Sequence, residues 1–334
     1  MSTFPLVIIG AGPAGIATAI EAINRGYKAA DIIMIERAGE IAHMIKSKYP
    51  DEKPVLANYK GRMAACLGDM CITDMSKKEF FDYLEEMVKK FKLQINFNQQ
   101  VTKVTKLRNG QFNVETNVDA YTCSAVFVAI GTMAAPRSLG VSVSQEVAKR
   151  MFTDIQKVHD DHQSVLVVGG GDSAAEYAKI LCDRGHQVVL SYRGQDFSKM
   201  IEQNAINTKK LIMEGKITYL SESQIEKLEM KDHKVCVSFL QNKYPSLQVS
   251  SLVVALGTER PTNYLNSIGI STVMESKELF SESKTEGLFF VGDLAIDKSG
   301  GSINFAFNSG VNAISHACEN YLDCPLPQYT KKAA

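Results

Sequence analysis

At 334 residues, 45% apolar and 22% charged, the chain is long enough for two ordinary domains and too apolar to stay disordered. Lys and Arg together number 37, as do Asp and Glu, so the overall charge argues against a nucleic-acid or membrane-surface protein, although a local patch can still steer a partner. Seven cysteines, odd in number and scattered, suit a reducing compartment better than a disulfide framework.

The N-terminal MSTFP has no cationic segment and no apolar run approaches the length of a membrane span, so the expected location is the cytoplasm. Leu6 to Ile9 is an apolar run fit for a buried parallel strand, and it stops at Gly10, Gly12 and Gly15 before helical spacing begins at Ile16. In this G-x-G-x-x-G pattern the first glycine permits a tight turn and the second lets a pyrophosphate approach the backbone. The third lets the helix pack on the strand. Pro13 and Ala14 sit inside the turn, where a fixed φ is harmless. A second strand, Ile32 to Ile35, ends at Glu36, whose carboxylate can bond ribose hydroxyls. Strand, glycines, helix, strand and terminal acid in register predict a dinucleotide fold.

A polar, Lys-rich segment runs from Glu36 to about Arg62, and Ser76 to Phe91 then has amphipathic helix spacing. Short alternating runs at 95–97, 101–107 and 112–116 predict a small antiparallel sheet laid over the parallel one. Ala125 to Ile130 reads as a buried strand, and Gly131 followed by Pro136 punctuates the exit from a first domain. Val165 to Val168 repeats the opening device, with Gly169, Gly171 and Ala174, a helix through Cys182 and a second strand at Val188 to Leu190. Strand-like runs at 217–220, 225–228 and 235–240 precede Leu252 to Leu256, which ends at Gly257. The halves echo each other, an internal duplication of a nucleotide-binding plan. Two nucleotide sites in one chain are what passing electrons from a pyridine nucleotide to a flavin requires.

Near the C-terminus, Thr285 to Asp293 is a strand closing on Gly-Asp, and Gly301-Ser302-Ile303 leads into a helix through Gly310. These residues resemble the FAD signature of two-domain flavoprotein reductases, where the Asp bonds the ribityl chain and the helix N-terminus faces the flavin O2 edge. The resemblance gives those roles to Asp293 and to the backbone at Ser302 and Ile303. It implies a discontinuous FAD-binding domain, 1–133 and 258–334, around an NAD(P)H-binding domain at 134–257. Over essentially the whole chain the plan is similar to thioredoxin reductase and its relatives, an α/β fold of two Rossmann-like domains, in which the protomer belongs to a homodimer.

Residues 140 to 168, where thioredoxin reductase keeps its C-x-x-C, contain no cysteine, and position 14 is Ala where the bacillithiol-disulfide reductase branch has Cys. Cys66 and Cys71 have the C-x-x-x-x-C spacing of the glutathione-reductase type, but in a loop with no helix following, so they are not expected to be redox active. Cys318 and Cys324 are expected to be small packing residues. The chain therefore resembles the cysteine-independent branch, the thioredoxin-reductase-like ferredoxin or flavodoxin (quinone) reductases. Carrying that likeness are Ser191-Tyr192-Arg193 with Phe197-Ser198, Lys298-Ser299-Gly300, and Ser47-Lys48-Tyr49-Pro50, whose Tyr in that branch stacks on the isoalloxazine ring.

The resemblance implies FAD and NADPH as cofactors, with NADPH held by Gly169, Gly171, Asp172, Ser173, Ala174, Tyr192 and Arg193. No carboxylate ends the second domain's second strand, and Arg193 is placed to pair with a 2′-phosphate, with an ordinary surface cation as the alternative. The expected reaction is hydride transfer from NADPH to flavin N5 and electron release to flavodoxin or ferredoxin, with no metal. Quinone reduction, disulfide reduction through Cys66 and Cys71, and a nucleotide sensor without turnover are the alternatives. Between His43 and Arg62, five cations (Lys46, Lys48, Lys53, Lys60, Arg62) stand against Asp51 and Glu52, which predicts a docking patch for an acidic carrier.

Overall fold

The computed structural model describes residues 3–58, 64–133, 135–161, 163–277, 279–295 and 302–326. It divides into two compact units, one of residues 1–47, 54–134 and 260–334 and the other of residues 48–53 and 135–259.

The first unit opens with strand β1 (Thr3–Ile9), helix α1 (Pro13–Asn24) and strand β2 (Ile32–Ile35). Leu6 to Ile9 and the whole of β2 are buried. Strands buried on both faces belong to a parallel sheet covered on both sides, and each such aliphatic side chain contributes about 1.5 to 3 kcal/mol. The two strands pair in parallel from Leu6↔Ile32 to Ile9↔Ile35. A short helix α2 (His43–Lys48), not foreseen in the Lys-rich segment, precedes α3 (Lys77–Lys90). A Ser76–Glu79 capping box starts α3, which buries Phe80, Phe81, Leu84 and Met87.

Strands β3 (Ile95–Asn96), β4 (Val101–Lys106), β5 (Phe112–Thr116) and β6 (Ala120–Val128) follow. The expected separate antiparallel sheet is instead an extension of the parallel one. β6 starts at Ala120, ahead of the expected Ala125, and that extra length lets β5 pair with it antiparallel at Phe112↔Cys123 while β1 pairs parallel on its other side.

The second unit contains β7 (Ala135–Pro136), α4 (Gln145–Ala148), β8 (Met151–Phe152), β9 (Ser164–Val168), α5 (Asp172–Asp183), β10 (Gln187–Ser191) and α6 (Glu202–Met213). It continues through β11 (Ile217–Leu220), β12 (Ile225–Lys231), β13 (Lys234–Phe239), β14 (Leu247–Val249), β15 (Ser251–Val254) and β16 (Thr258–Glu259). A parallel sheet runs β11-β10-β9-β15-β8, and β12, β13 and β14 form an antiparallel one. β9 and β15 are adjacent, Val165↔Ser251 to Val168↔Val254, so the chain leaves both at the same edge, where α5 begins.

Back in the first unit, α7 (Thr262–Ser267), β17 (Met274–Ser276), β18 (Ser281–Ser283), β19 (Leu288–Phe290) and α8 (Ile303–Asn320) complete it. β19 pairs in parallel with β6, giving the order β17-β18-β19-β6-β1-β2-β3 with β4 and β5 branching from β6. β1, β6 and β19 thus run parallel and end side by side, at Ile9, Val128 and Phe290, just before Gly10 and Gly292.

Candidate functional site

Gly10 has φ +108°, and a Cβ there would stand 2.6 Å from the Ala129 carbonyl oxygen at the exit of β6. Only glycine fits so tight a turn. At Gly15 a Cβ would lie 2.0 Å from the Gly10 carbonyl oxygen, so helix and loop are in backbone contact. Gly12 differs, because a Cβ there would meet nothing within 4 Å. That open side faces the start of α1, where Gly12 is the cap, Pro13 and Ala14 open the helix, and the first turn has no acid. An open cap and a helix N-terminus without an acid are features that suit an anion.

Glu36 is placed by the loop it serves. Its Oε2 accepts from Ala11 N at 2.9 Å and its Oε1 from Ala38 N at 2.9 Å. The carboxylate thereby fixes its orientation and keeps lone pairs for further hydroxyl donors.

Asp293 lies in a short 3-10 turn after β19. Gly292 has φ +70°, its N–H donates to Ser309 Oγ at 2.9 Å, and a Cβ on it would come within 2.9 Å of Ala14 Cβ. The turn therefore presses on the first turn of α1 and sets Asp293 beside the glycine loop. Ser302 caps α8, its Oγ accepting from Phe305 N at 3.2 Å, and Ile303 is the first helical residue. Lys60, Arg62, Lys298, Ser299, Gly300 and Gly301 lie outside the described residues.

Sequence reading missed two buried amides on α8. Asn304 accepts from Ile72 N (3.0 Å) and donates to Ile72 O (2.9 Å), and Asn308 accepts from Leu67 N (3.1 Å) and donates to Ala65 O (2.6 Å). Both are 3% exposed. Their i, i+4 spacing on a mostly apolar helix face was the available signal. The segment they hold carries Cys66 and Cys71, joined as a disulfide with Cα atoms 5.6 Å apart. Cys318 and Cys324 are also joined, with Cα atoms 5.4 Å apart, so they are not mere packing residues. In both cases the partners are close in sequence, five and six residues apart, and their Cα atoms are within bridging range, which the odd count of cysteines did not suggest. Cys123, Cys182 and Cys236 are free. Burial pushes the Cys123 thiol up to about 12, so it is not a nucleophile.

In the second unit, Gly169 comes as close to a backbone oxygen as Gly10 does, a Cβ there standing 2.4 Å from Ala255 O. Gly171 caps α5 and is open. Ala174 replaces the third glycine. The Tyr192 ring covers the loop, since a Cβ on Gly170 would meet it at 2.2 Å, and one on Gly194 at 2.6 Å. Arg193 is exposed, and Lys199 Nζ stands 5.9 Å from the Tyr192 ring centre. Ser173 lies in the first turn of α5, whereas Asp172 serves the protein itself, its Oδ1 accepting from Ile201 N (2.7 Å) and Asn204 Nδ2 (3.0 Å).

In the Lys-rich segment, Tyr49 has its ring centre 4.3 Å from Lys53 Nζ, and its carbonyl accepts from Gln156 Nε2 at 3.4 Å. Lys53 is not a surface cation. Its side chain is 12% exposed and pairs with Glu176 Oε2 at 2.8 Å. Burial acts to lower the pKa of its ammonium, yet Tyr49, Glu176 and Tyr177 hold it above the usual value. Lys46 pairs with Glu40 at 2.6 Å. Lys46 and Lys53 thus meet acids outside the counted stretch while Glu52 meets Arg184 outside it at 2.7 Å, so the positive excess counted along the sequence falls by one charge.

The sequence model of the family described as pyridine nucleotide-disulphide oxidoreductase matches residues 7–292. A ferredoxin-NADP reductase of Picrophilus torridus is 28% identical over 310 residues, 88% of this chain and 86% of that protein. The bacilliredoxin reductase Bdr of Bacillus subtilis is 25% identical over 318 residues, 91% of this chain and 94% of that protein. Among solved structures, the bacillithiol disulfide reductase Bdr of Staphylococcus aureus superposes with TM-score 0.78 at 22% identity, covering 96% of this chain and all (100%) of that one. Thioredoxin reductase of Lactococcus lactis gives 0.73 at 20% identity, covering 95% and 98%. At these identities the structural likenesses show a shared two-domain fold.

Proposed function

Because the chain belongs to the pyridine nucleotide-disulphide oxidoreductase family, we propose that it is an FAD enzyme that takes hydride from NADPH and passes electrons to ferredoxin or flavodoxin. Its class is an NAD(P)H-dependent flavoprotein reductase, and FAD and NADPH are its cofactors. The single observation that carries the reading is the pair of open cap glycines, Gly12 and Gly171, each at the start of a helix in a different unit.

The residues present fit the groups they would hold. In the first unit, Gly12, Ala14 and Gly15 would offer N–H groups to a diphosphate, with Gly10, whose own N–H is given to Ile35 O, making the turn and Pro13 opening the helix, and Glu36 would offer its free lone pairs to ribose hydroxyls. Asp293 accepts from ribityl hydroxyls, and the N-terminus of α8 at Ser302 and Ile303 favours negative charge. In the second unit, Gly169, Gly171, Ser173 and Ala174 form the second cradle, and Arg193 is the reader of a 2′-phosphate. These roles assign FAD to residues 1–133 and 258–334 and NADPH to 134–257. Bound FAD supplies what side chains lack, a hydride acceptor that can release electrons singly or in pairs. No general acid or base is required of the protein for such a transfer.

The names of the ferredoxin-NADP reductases among the relatives support the acceptor. Stopped-flow bleaching of the flavin by NADPH, followed by steady-state NADPH oxidation with ferredoxin, flavodoxin, benzoquinone and an aromatic disulfide side by side, tests the reading. A flavin that NADPH does not bleach would overturn it.

Disulfide reduction is the second reading, and one observation favours it. The Cys66–Cys71 disulfide is formed, Cys71 is exposed, and the next residue, Ile72, is clamped by Asn304 in the first turn of α8.

A further inference from the structure

The two glycine loops differ in the charge behind them. The first turn of α1 has no acid, and its buried carboxylate, Glu21, pairs at 2.8 Å with Arg25, the residue that caps the far end of the helix. Helix α5 has Asp172 in its first turn and Glu176 one turn later. Both put negative charge at the end of α5 where the proposed diphosphate, itself doubly negative, must bind. Left alone, they would cancel the attraction of the helix N-terminus.

Each carboxylate is answered differently. The dipoles of Ile201 N and Asn204 Nδ2 meet Asp172 at 2.7 and 3.0 Å, and the same Asn204 nitrogen is 3.2 Å from Glu176 Oε1. A full charge meets Glu176, because Lys53 Nζ lies 2.8 Å from Oε2 with side chains only 12% and 16% exposed. Water screens so buried a pair weakly. Lys53 comes from the short segment 48–53, far from α5 in sequence, and it also faces the Tyr49 ring at 4.3 Å. A buried ion pair adds little net stability over an apolar pair of the same size. Its consequence belongs to what binds at the helix end.

We propose that Lys53 is a positioning residue for the nicotinamide nucleotide, neutralising Glu176 so that the N-terminus of α5 keeps its attraction for the diphosphate. The inference rests on the assignment of NADPH to the second glycine loop.

The test is calorimetric titration of the FAD-loaded full chain at pH 7 with NADP+ and with adenosine 2′-monophosphate, which lacks the diphosphate. Wild type, Lys53→Met, Glu176→Gln and the double variant are compared. Lys53→Met should raise the Kd for NADP+ about tenfold, equivalent to about 1.4 kcal/mol, because the uncompensated Glu176 charge then opposes the diphosphate. It should leave adenosine 2′-monophosphate within about twofold. The double variant restores net charge and should return NADP+ binding to near wild type, a rescue that a purely structural role would not produce. Glu176→Gln alone should bind NADP+ more tightly, and it carries the test if Lys53→Met does not fold. Unchanged NADP+ binding in Lys53→Met, equal weakening of both ligands, no rescue in the double variant, or no tightening in Glu176→Gln would each overturn the proposal. A wild type that does not bind NADP+ would instead remove the nucleotide assignment on which it stands.

Discussion

The first and second glycine loops are built from one sequence device and differ where it meets its neighbours. In both, the first glycine passes a strand-exit carbonyl so closely that a Cβ would be 2.6 Å (Gly10) or 2.4 Å (Gly169) from oxygen. In both, the cap glycine is open. At the third position α1 touches its own loop and needs Gly15, whereas α5 tolerates the methyl of Ala174. At the end of the second strand, one loop is laced to a carboxylate, Glu36, and the other lies under an aromatic ring, Tyr192, followed by an exposed Arg193. On the proposed assignment, the shared parts would set where a dinucleotide lies and the unshared parts which one is chosen.

Exchanging the third-position residues breaks the comparison most severely. Gly15→Ala would place a methyl 2.0 Å from a backbone oxygen that cannot move away, so the variant should purify without FAD and lose about 3 kcal/mol or more of stability in denaturant unfolding. The reciprocal Ala174→Gly should cost only about 1 kcal/mol through helix propensity and keep NADP+ binding. Similar losses in both would mean that the helices sit equally close to their loops.

Arg193→Ala addresses the selective part of the second loop. Losing a charge-assisted bond worth about 1.5 to 3 kcal/mol should lower the ratio of kcat/KM for NADPH over NADH roughly ten- to a hundredfold. An unchanged ratio would hand the 2′-phosphate to another cation, and Lys199, beside the Tyr192 ring, is the next to replace.

Asp293→Ala should weaken FAD binding by about 1 to 3 kcal/mol, the cost of an unpaired buried hydroxyl, while leaving NADP+ titration of the flavin-loaded fraction unaltered. Full flavin occupancy with unchanged affinity would detach Asp293 from the first site.

Local signals made the two loops legible. Leu6 to Ile9 and Ile32 to Ile35 are buried on both faces, so an unbroken apolar run betrayed them, and the glycines punctuated the turns. Helix α6 escaped because it buries only Thr208, leaving no apolar stripe to read. The placement of 48–53 with the second unit escaped because Lys53, Glu52 and Tyr49 are held by Glu176, Arg184 and Gln156, partners more than a hundred residues away. A charge count along the chain treats such lysines as solvated. Likewise Asn304 and Asn308 read as polar residues on a helix until the segment 65–72 is seen to lie along them.

That clamped segment belongs to the first unit, and it supplies the smallest expected effect. The double variant Cys66→Ser, Cys71→Ser removes the disulfide, but four hydrogen bonds from Asn304 and Asn308 still fix Ala65, Leu67 and Ile72 on α8, so the segment should keep its place. If electrons leave the flavin directly, NADPH-dependent reduction of ferricyanide and of ferredoxin should stay within about twofold of wild type, because neither route touches sulfur. If the cysteines relay electrons, reduction of an aromatic disulfide should vanish in the same variant while ferricyanide reduction survives, since a one-electron acceptor can bypass the pair. Loss of ferredoxin reduction with FAD retained would place Cys66 and Cys71 on the main route. The first loop would then feed a sulfur relay mounted on the helix that closes its own unit, and disulfide reduction would become the better account of the enzyme.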